Sequence, residues 1–380
     1  MYDPDVAGPL DRLTAPPYDV ISDSRRRSYL DASAHNIVHV DLAEGSDDPD
    51  APDSRYVGAA EQLRTWIERG VLRRTLPAYF AYEVAFELWG ASRWIRGLFC
   101  AMELEPWGGR VLPHEQVMAG PVEDRLCLLR ATRTHLSAIY GTVAGPCAPL
   151  TDLLDRTAHA RAPYEVADRE GSTHRMWSID AAEPVDAWLA DQPLLIADGH
   201  HRYTTALAYR DERHAAEGAG PWDRILTLVV DAGSQDVPVL PYHRVQLHGE
   251  TPEGGEPVAG LEEAMARVDD TSGRYATVSR GQDGRLDYRV HQLLGGPPVV
   301  RALHDEVLDR TAPDEALLFT HEAEDADEMV RTGQAVAAYL LPPTHPDRIL
   351  ATVERGDRLP RKSTFFWPKP RTGMVMMPLD

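Results

Sequence analysis

Residues 56–72 have apolar positions at helical spacing. Leu63, Trp66 and Ile67 recur at intervals that place them on one face of a helix. Gly70 follows the last of these positions and is expected to end the helix, because glycine adopts the left-handed conformation that is common just past a helix end. The pattern therefore predicts an amphipathic helix whose apolar face is buried.

The segments that follow are typical of β-strands. Residues 78–88 and 93–107 predict two antiparallel strands joined by a turn at Gly90. The remaining segments predict a loop, a short helix and a strand within 14–45, a helix at 123–136, a strand, tight turn and helix at 193–216, strands at 223–233 and 237–249, a peripheral helix and hairpin within 249–290, a buried strand at 333–343, a short helix at 346–356 and a terminal strand at 373–379. Strands and helices mix without strict alternation, so we expect an α+β fold with a mixed sheet.

Length and composition indicate a globular chain with two lobes. A chain of 380 residues exceeds one typical core, and we expect approximate lobes at 1–180 and 181–380. No segment approaches the roughly 18 apolar residues of a membrane span, and the first residues lack the pattern of a secretory signal. The three cysteines, Cys100, Cys127 and Cys147, cannot all pair, which favours a reducing cytoplasm.

The net charge of −21 restricts the choice of partner. Proteins bind nucleic acid mainly by neutralising its phosphates, and an acidic surface of this size repels it, so nucleic acid is excluded as the main partner. A small anionic ligand stays compatible, because a local cationic pocket can override the global field. Residues 361–371 are such a basic region, with four cations and no acid in a chain whose acids outnumber its bases 60 to 39.

The basic region contains both lysines of the chain, Lys362 and Lys369, whereas every other basic residue is arginine. A lysine is a compact point charge with three donors, which suits phosphate and proton transfer differently from a planar guanidinium. Ser363 and Thr364 add two hydroxyls that suit a phosphate and its metal, although the glycines of a Walker A loop are absent. We expect Lys362 to act at a transferring phosphoryl group and Lys369 to have a positioning or surface role. A chance cluster of two solvated cations is the simpler alternative.

The strongest local signal is the run from Asp198 through Gly199, His200 and His201 to Arg202. A buried apolar strand ends at the aspartate and a helix begins after the glycine, which aims backbone N–H groups and the helix dipole at one spot. The histidines and the arginine add donors there, and the aspartate could hold a metal ion or a hydroxyl. We favour a ligand site over a capped helix with surface histidines.

Three further segments carry candidate side chains. In "VLPHEQ", His114 and Glu115 pair a ring with a carboxylate that could serve as a general base or a metal ligand, and Arg125 follows on the next helix. On these residues alone, a solvated loop is the simpler explanation. In "TAPPYDVIS", two prolines fix an extended backbone that presents Tyr18 and Asp19. An ordinary turn is the simpler explanation for them.

Arg244, in "PYHRV", is the last candidate. Together with His243 it could belong to a ligand pocket, and a strand-end pair on the surface explains these two residues just as well.

Together these segments resemble one family, domain of unknown function 1015. The resemblance is carried by "APPYDVIS", "LPHE", "GPxxDRLxLLRAT", "LLIADGHHRYxTALAYRDE", "PxKSTFFxPK" and "TGMVMxPL", and it runs along nearly the whole chain as one family-wide unit. It is specific across 14–40, 111–140, 193–245 and 318–380. The family usually has lysine after the Gly-Pro pair, where this chain has Val122.

The motif Asp-Gly-His-His-Arg also resembles the phosphate-binding box of the ParB/sulfiredoxin-like superfamily, which includes free-serine kinases. This resemblance implies a strand–turn–helix phosphate-binding core and a nucleotide-dependent phosphotransferase that acts on a hydroxyl of a small metabolite such as serine. It also implies that Asp198, Gly199, His200, His201 and Arg202 hold the phosphates. We expect ATP or ADP as the donor, and a Mg²⁺ ion that bridges the phosphates, because phosphoryl transfer needs cations around the moving group.

The remaining roles are hypotheses from the residues themselves. We expect Glu115, Asp198 and Lys362 to be catalytic, with Asp198 also a candidate metal ligand. Ser363 and Thr364 would join the phosphate site. The residues assigned to substrate binding are Tyr18, Asp19, His114, Arg125 and Arg244.

Two other functions compete with the kinase hypothesis. A metal-dependent hydrolase would use His200, His201, His114 and Asp198 as ligands, although adjacent residues at a helix start diverge by about 100°. A non-catalytic nucleotide-binding module would use the same phosphate box without turnover. The expected partners are a nucleotide and a small-molecule substrate, with neither nucleic acid nor a membrane.

Overall fold

A computed structural model of the chain describes residues 1–115, 117, 119–143, 145–160, 162, 164–180, 183–281 and 284–380. The chain divides into two units. The first comprises Met1–Pro113, Val117–Asp236 and Pro368–Asp380, and the second comprises His114–Gln116 and Val237–Trp367. The two lysines of the basic region therefore belong to different units.

The described helices are mostly short, and three of them exceed twelve residues. In chain order they are α1 (Pro4–Ala7), α2 (Asp23–Ala32), α3 (Val38–Asp41), α4 (Arg55–Glu68), α5 (Ala119–Thr132), α6 (Ala148–Ala158), α7 (Val185–Leu189), α8 (His200–Glu217), α9 (Leu261–Arg267), α10 (Val299–Leu303), α11 (Asp309–Thr311), α12 (Ala323–Arg331) and α13 (Pro346–Glu354). Short 3₁₀ turns cover Leu10–Arg12, Tyr18–Val20, Pro221–Asp223 and Asp314–Ala316, and a π-helical turn covers His304–Leu308.

The strands range from two residues to thirteen. In chain order they are β1 (Ala78–Leu88), β2 (Ala91–Glu103), β3 (Val111–Pro113), β4 (Thr134–His135), β5 (Ile139–Val143), β6 (Tyr164–Ala167), β7 (Thr173–Asp180), β8 (Leu194–Asp198), β9 (Arg224–Asp231), β10 (Val239–Pro241), β11 (His243–Gln246), β12 (Glu256–Val258), β13 (Arg274–Arg280), β14 (Leu286–Gln292), β15 (Leu317–Thr320), β16 (Ala337–Leu340), β17 (Thr364–Phe366) and β18 (Met377–Pro378).

The first unit is built on a mixed sheet. Within its described residues eight strands are ordered β3-β8-β5-β9-β2-β1-β7-β6. The pairs β3–β8 and β5–β9 are parallel, and the other pairs are antiparallel. One apolar core on this sheet includes Leu98, Ile139 and Ile196, and α8 contributes Tyr203 to it. The β8–α8 connection is therefore anchored in the core of this unit.

Two predicted elements of the first unit are confirmed. β1 and β2 pair in register from Phe80 with Phe99 to Leu88 with Ala91, and the turn contains Gly90. The predicted amphipathic helix is α4, in which Leu63 and Trp66 are buried. Ile67 is 48% exposed, because it follows Trp66 by about 100° around the helix and leaves the buried face.

The second unit has its own sheet and core. Among its described residues six strands form an antiparallel sheet in the order β12-β14-β13-β16-β11-β15. Both faces of β16 are buried, as the apolar run at 333–343 predicted. The predicted helix and hairpin within 249–290 are α9 and the β13–β14 pair. In a separate two-stranded sheet β10 pairs with β17, and this pairing places residues 364–366 beside residues 239–241.

The strand predicted at the end of 14–45 is wrong. Its apolar alternation belongs to α3, a single helical turn in which Val38 and Val40 are buried. The side chain of Asn36 accepts a hydrogen bond from the amide of Val38 at 3.0 Å, and this local cap starts a turn where the alternation alone predicts extended backbone.

The fold class is α+β with several sheets, as the mixed pattern predicted. The expected lobe boundary at residue 180 falls inside the first unit, because β7 and β8 belong to the same sheet. No helix in the described part of the chain is both long enough and apolar enough to cross a membrane.

Candidate functional site

The junction of β8 and α8, residues 198–202, has the strand–turn–helix form that the sequence predicted. Asp198 ends the strand and His200 begins the helix, so Gly199 alone makes the turn. Gly199 has a φ of 97°, and a Cβ on it would lie 2.8 Å from Cγ2 of Ile139. Glycine is therefore needed here both for its left-handed backbone and for the close approach of β5.

The start of α8 presents the positive end of an 18-residue helix. The first N–H groups of a helix have no intrahelical partner, and they attract negative charge together with the helix dipole. His200 is buried in this first turn, and its ring stacks on Trp107 with 6.2 Å between ring centroids. His201 is half-buried. His200 therefore starts α8 and also packs the first turn of this helix against Trp107 of the same unit.

Asp198 is bonded to two cations. Its Oδ1 accepts a hydrogen bond from Nζ of Lys369 at 2.5 Å, and its Oδ2 accepts one from Nη2 of Arg202 at 2.5 Å. Arg202 also donates through Nη1 to Oγ of Ser137 at 3.1 Å and to the carbonyl oxygen of Ala138. The guanidinium therefore ties the first turn of α8 to the residues that precede β5.

Lys369 joins two carboxylates. Its Nζ donates to Oδ1 of Asp198 and, at 2.9 Å, to Oδ2 of Asp19. The side chain of Lys369 is only 6% exposed, and the flanking Pro368 and Pro370 are buried as well. The sequence predicted a positioning or surface role for this lysine. Its burial excludes the surface role and leaves the positioning role, and its ammonium is in direct contact with Asp198 of the predicted phosphate box.

A second buried charge network lies next to Asp19 in the chain. The guanidinium of Arg125 lies 4.3 Å from the ring centroid of Tyr18, and it forms ion pairs with Asp41 at 3.0 Å and Asp124 at 2.6 Å. Burial, reinforced by the charge of Asp19, raises the pKa of Tyr18 to about 12. Burial also raises the pKa of Asp41, which Arg125 opposes. Tyr18 therefore keeps its proton at neutral pH and can donate a hydrogen bond.

The donor set of this cluster does not fit a magnesium ion as it is arranged. Mg²⁺ is usually held by one or two carboxylates together with phosphates and waters. Both oxygens of Asp198 accept hydrogen bonds from cations, and the position between Asp198 and Asp19 is filled by Nζ of Lys369. In the described residues no three histidine, cysteine or acidic side chains lie together so that they could hold a metal ion.

A second cluster lies in the other unit, around Glu115. Its Oε1 accepts hydrogen bonds from the backbone amides of Ser363 at 2.9 Å and Thr364 at 3.0 Å, and its Oε2 accepts one from the amide of Lys362 at 3.2 Å. We call these three consecutive N–H groups the amide nest. Lys362 has a φ of 52°, the left-handed value that makes successive amides converge. Glu115, the expected catalytic base, therefore accepts three hydrogen bonds from backbone amides.

His114 supports this arrangement. Its Nε2 lies 2.6 Å from Oγ1 of Thr364, and that hydroxyl donates to Oε1 of Glu115 at 3.0 Å. A hydroxyl has one proton, so Thr364 accepts from Nε2–H of His114 while it donates to the carboxylate. The backbone of Leu359 donates to the carbonyl oxygen of His114 at 2.8 Å. The segment 114–115 is thereby fixed to the chain that precedes the nest.

The side chains around the nest are cationic. Nζ of Lys362 lies 5.1 Å from the ring centroid of Tyr242. The fully buried Arg244 donates to the carbonyl oxygen of Lys362 at 2.9 Å and to that of Arg361 at 3.3 Å, and its Nε lies 3.3 Å from His304. The predicted strand-end arginine is thus a buried support for the turn, and Lys362 contributes mainly its backbone to the cluster.

The structure sorts the predicted residues into two groups. The first unit brings together Asp19, Asp198, Arg202 and Lys369, and it places Tyr18 beside Arg125. The second unit brings together His114, Glu115, Lys362, Thr364 and Arg244, and Ser363 adds an amide to the nest while its hydroxyl donates to a carbonyl oxygen at 2.6 Å. The sequence did not predict that Lys369 is buried and hydrogen-bonded to two acidic side chains. Its signal was a lysine between two prolines in a chain that otherwise uses arginine.

The chain belongs to the family described as protein of unknown function (DUF1015), whose family model matches residues 1–296. This confirms the family resemblance for the motifs within residues 1–296, whereas the two motifs within 318–380 lie outside the matched residues. No curated protein matches the chain.

Several solved structures match the chain at low identity and low TM-score. A free serine kinase in complex with AMP is 16% identical with a TM-score of 0.39, and the match covers 74% of this chain and 91% of that chain. A mutant free serine kinase in complex with ADP is 16% identical with a TM-score of 0.40, over 74% and 92%. A conserved hypothetical protein from Pyrococcus furiosus is 14% identical with a TM-score of 0.36, over 71% and 93%. The function is therefore argued below from the residues of the two clusters.

Proposed function

We propose that the protein is a nucleotide-dependent phosphotransferase that moves a phosphoryl group to the hydroxyl of a small metabolite. One observation carries this proposal. At the junction a strand end, a glycine turn and a helix N-terminus lie beside two largely buried cations, Arg202 and Lys369. The resemblance of the Asp-Gly-His-His-Arg motif to a ParB/sulfiredoxin-like phosphate box supports ATP or ADP as the donor.

These parts suit phosphoryl transfer because that reaction depends on positioning and on positive charge around the moving group. The ammonium of Lys369 and the guanidinium of Arg202 are already oriented by Asp198. A nucleotide phosphate that takes over these donors replaces one anion with another, so the two cations stay neutralised throughout. Pre-oriented donors also save the entropy of ordering two long side chains at the moment of binding.

We assign the orientation of the acceptor hydroxyl to Asp19 rather than to Glu115. A general base must lie within hydrogen-bond reach of the proton that it takes. Asp19 is 26% exposed and bonded to Lys369, whereas Asp198 is 14% exposed and bonded to two cations. The oxygens of Glu115 accept three backbone amides and a hydroxyl, which leaves little room for a substrate.

The neighbours of Asp19 would then contact the acceptor. Tyr18 keeps its proton, since its pKa is raised to about 12 by burial, and it can donate a hydrogen bond. The guanidinium of Arg125 lies over the Tyr18 ring, 4.3 Å from its centroid, and stabilises the position of that ring. A hydroxy amino acid such as serine, with one hydroxyl to phosphorylate and one carboxylate to bind, is the first acceptor to test.

A second candidate is a nucleotide-binding module without turnover. The engagement of both Asp198 oxygens and of Glu115 favours it, because binding needs only the cations and the helix N-terminus, while catalysis also needs a carboxylate that can reach the acceptor. The two candidates share the ligand and differ in the product.

The proposal is tested by incubating the protein with ATP or ADP and a pool of hydroxy amino acids, with and without Mg²⁺, and measuring phosphorylated products by mass spectrometry. We expect a phosphorylated acceptor and a rise in melting temperature with nucleotide, since a ligand at a hundredfold excess over its Kd stabilises the native state by about 2.7 kcal/mol. A melting shift without product supports the non-catalytic module. The absence of both a phosphorylated product and a melting shift would contradict the proposal.

A further inference from the structure

The amide nest is an anion-binding arrangement that is occupied by a side chain of the same protein, that of Glu115. Three consecutive amides, those of residues 362–364, converge on the carboxylate of Glu115 at 2.9 to 3.2 Å. Converging backbone N–H groups around a left-handed residue form the kind of concavity that binds phosphate in many proteins. Here the concavity is formed by Lys362, which is not a glycine, although a left-handed conformation is uncommon for such a residue.

The turn that forms the nest is rich in cations. Arg361 and Lys362 are both on the turn, and the guanidinium of Arg244 is bonded to their carbonyl oxygens. Arg361 and Arg244 each lie 5.2 Å from the ring of Phe319. Rings and carbonyl oxygens stabilise these cations. Nearby cations favour an anionic ligand, and a phosphate offers the three amides more acceptor oxygens than a carboxylate does.

Glu115 is placed so that it could leave the nest. Its side chain is 16% exposed, so solvent reaches it. The backbone of its segment is fixed independently by the bond between the amide of Leu359 and the carbonyl oxygen of His114. A rotation of the Glu115 side chain would therefore open the nest while its backbone and His114 stay in place.

We propose that the amide nest is a phosphate-binding site and that Glu115 occupies it when no ligand is bound. The carboxylate imitates the phosphate oxygens and competes with them, so the ligand must displace Glu115 to bind. Competition from a tethered group lowers the apparent affinity by the fraction of time that the nest is open. This site lies in the second unit, uses none of the junction residues, and does not depend on the proposed phosphotransferase activity.

Titration calorimetry with inorganic phosphate tests this site. We expect Glu115→Ala to bind phosphate at least about tenfold more tightly than the parent, because the competing carboxylate is gone. Glu115→Gln should fall between the two, since its amide oxygen still accepts hydrogen bonds but carries no charge. Glu354→Ala is the matched control, because it removes one exposed carboxylate from α13 of the same unit and should leave the affinity unchanged.

The location is tested by amide chemical shifts in ¹⁵N-labelled protein. Phosphate should shift the resonances of residues 362–364 in Glu115→Ala. The same resonances should shift in the parent at higher phosphate concentration, so the site can be tested even if the variant does not fold. Equal phosphate affinity in parent and folded Glu115→Ala, an equal gain in Glu354→Ala, or unshifted amides at 362–364 would overturn the proposal.

Discussion

The junction and the amide nest each surround one charged side chain with groups that stabilise its charge. At the junction the ammonium of Lys369 lies between the carboxylates of Asp19 and Asp198. At the nest the carboxylate of Glu115 lies among three backbone amides. The first arrangement depends on side chains and the second mainly on backbone. Substitutions should therefore affect the junction strongly, while the nest should respond mainly to changes of its occupant.

This difference explains why the two lysines of one ten-residue stretch are not equivalent. Lys369 acts through its ammonium, which is buried and bonded to two acids. Lys362 acts through its amide and its left-handed backbone, while its ammonium lies above an aromatic ring. The sequence shows two lysines and cannot show which of their groups is used.

The largest expected effect is the loss of the buried ammonium. Lys369→Met leaves Asp19 and Asp198 without their shared cation, and removing one partner of a buried ion pair costs about 3–5 kcal/mol. Lys362→Met removes a cation–π contact with Tyr242, worth less than about 1 kcal/mol at a partly exposed site. Urea unfolding of both variants measures the difference. Equal losses of unfolding free energy would show that the two lysines are equivalent after all.

The glycine of the junction should be the next most sensitive position. Gly199→Ala combines a left-handed backbone with a Cβ 2.8 Å from Ile139, and we expect a loss of about 2–4 kcal/mol. Gly218→Ala is the matched control at the other end of α8. It has a φ of 79° and no atom within 4 Å of its Cβ position, so only the conformational cost of about 1 kcal/mol applies. Thermal unfolding of the two variants separates packing from conformation, and equal costs would remove the packing argument.

A smaller loss is expected at the nest. Thr364→Val deletes the hydroxyl that accepts from His114 and donates to Glu115, which should cost about 1–3 kcal/mol because both partners stay buried or half-buried. Thr204→Val is the control, since its buried Oγ1 makes no hydrogen bond with the described residues. We expect that variant to unfold like the parent. A stability loss in Thr204→Val as large as in Thr364→Val would mean that the hydroxyl contacts at the nest do not matter.

Two buried histidines predict the most gradual effect, which develops as the pH is lowered. Burial lowers the pKa of His135 in the first unit to about 4, and burial with the charge of Arg244 lowers that of His243 in the second unit to about 3. The unfolded chain, with histidine pKa values near 6.5, binds more protons below that pH, so stability falls as the pH is lowered through this window. Each histidine contributes up to about 1.4 kcal/mol per pH unit.

Denaturant unfolding at pH 7, 6 and 5 measures this dependence. His135→Gln and His243→Gln should each flatten the slope of unfolding free energy against pH. An unchanged slope in both variants would show that neither histidine is kept neutral by burial in the folded state.

The sequence predicts local elements better than it predicts partners. The β1–β2 hairpin and the β8–α8 junction follow from apolar spacing and from glycine at the turns, because both signals are local. The short helix α3 was missed because a cap by Asn36 outweighed an alternating apolar pattern. The bond from Lys369 to Asp19 joins residues 350 positions apart, and the nest forms around a glutamate 247 positions before Lys362. No local pattern encodes such pairs.

The central claim is that the cations of the junction, with Lys369 foremost, bind the nucleotide phosphates. Binding of ATP by the parent, Lys369→Arg and Lys362→Arg, measured side by side by titration calorimetry, tests it most directly. A planar guanidinium is wider than the buried ammonium of Lys369 and places its charge differently, so Lys369→Arg should weaken binding by about tenfold or more, while Lys362→Arg stays close to the parent. Unchanged affinity in a folded Lys369→Arg, or a larger loss in Lys362→Arg, would contradict the claim.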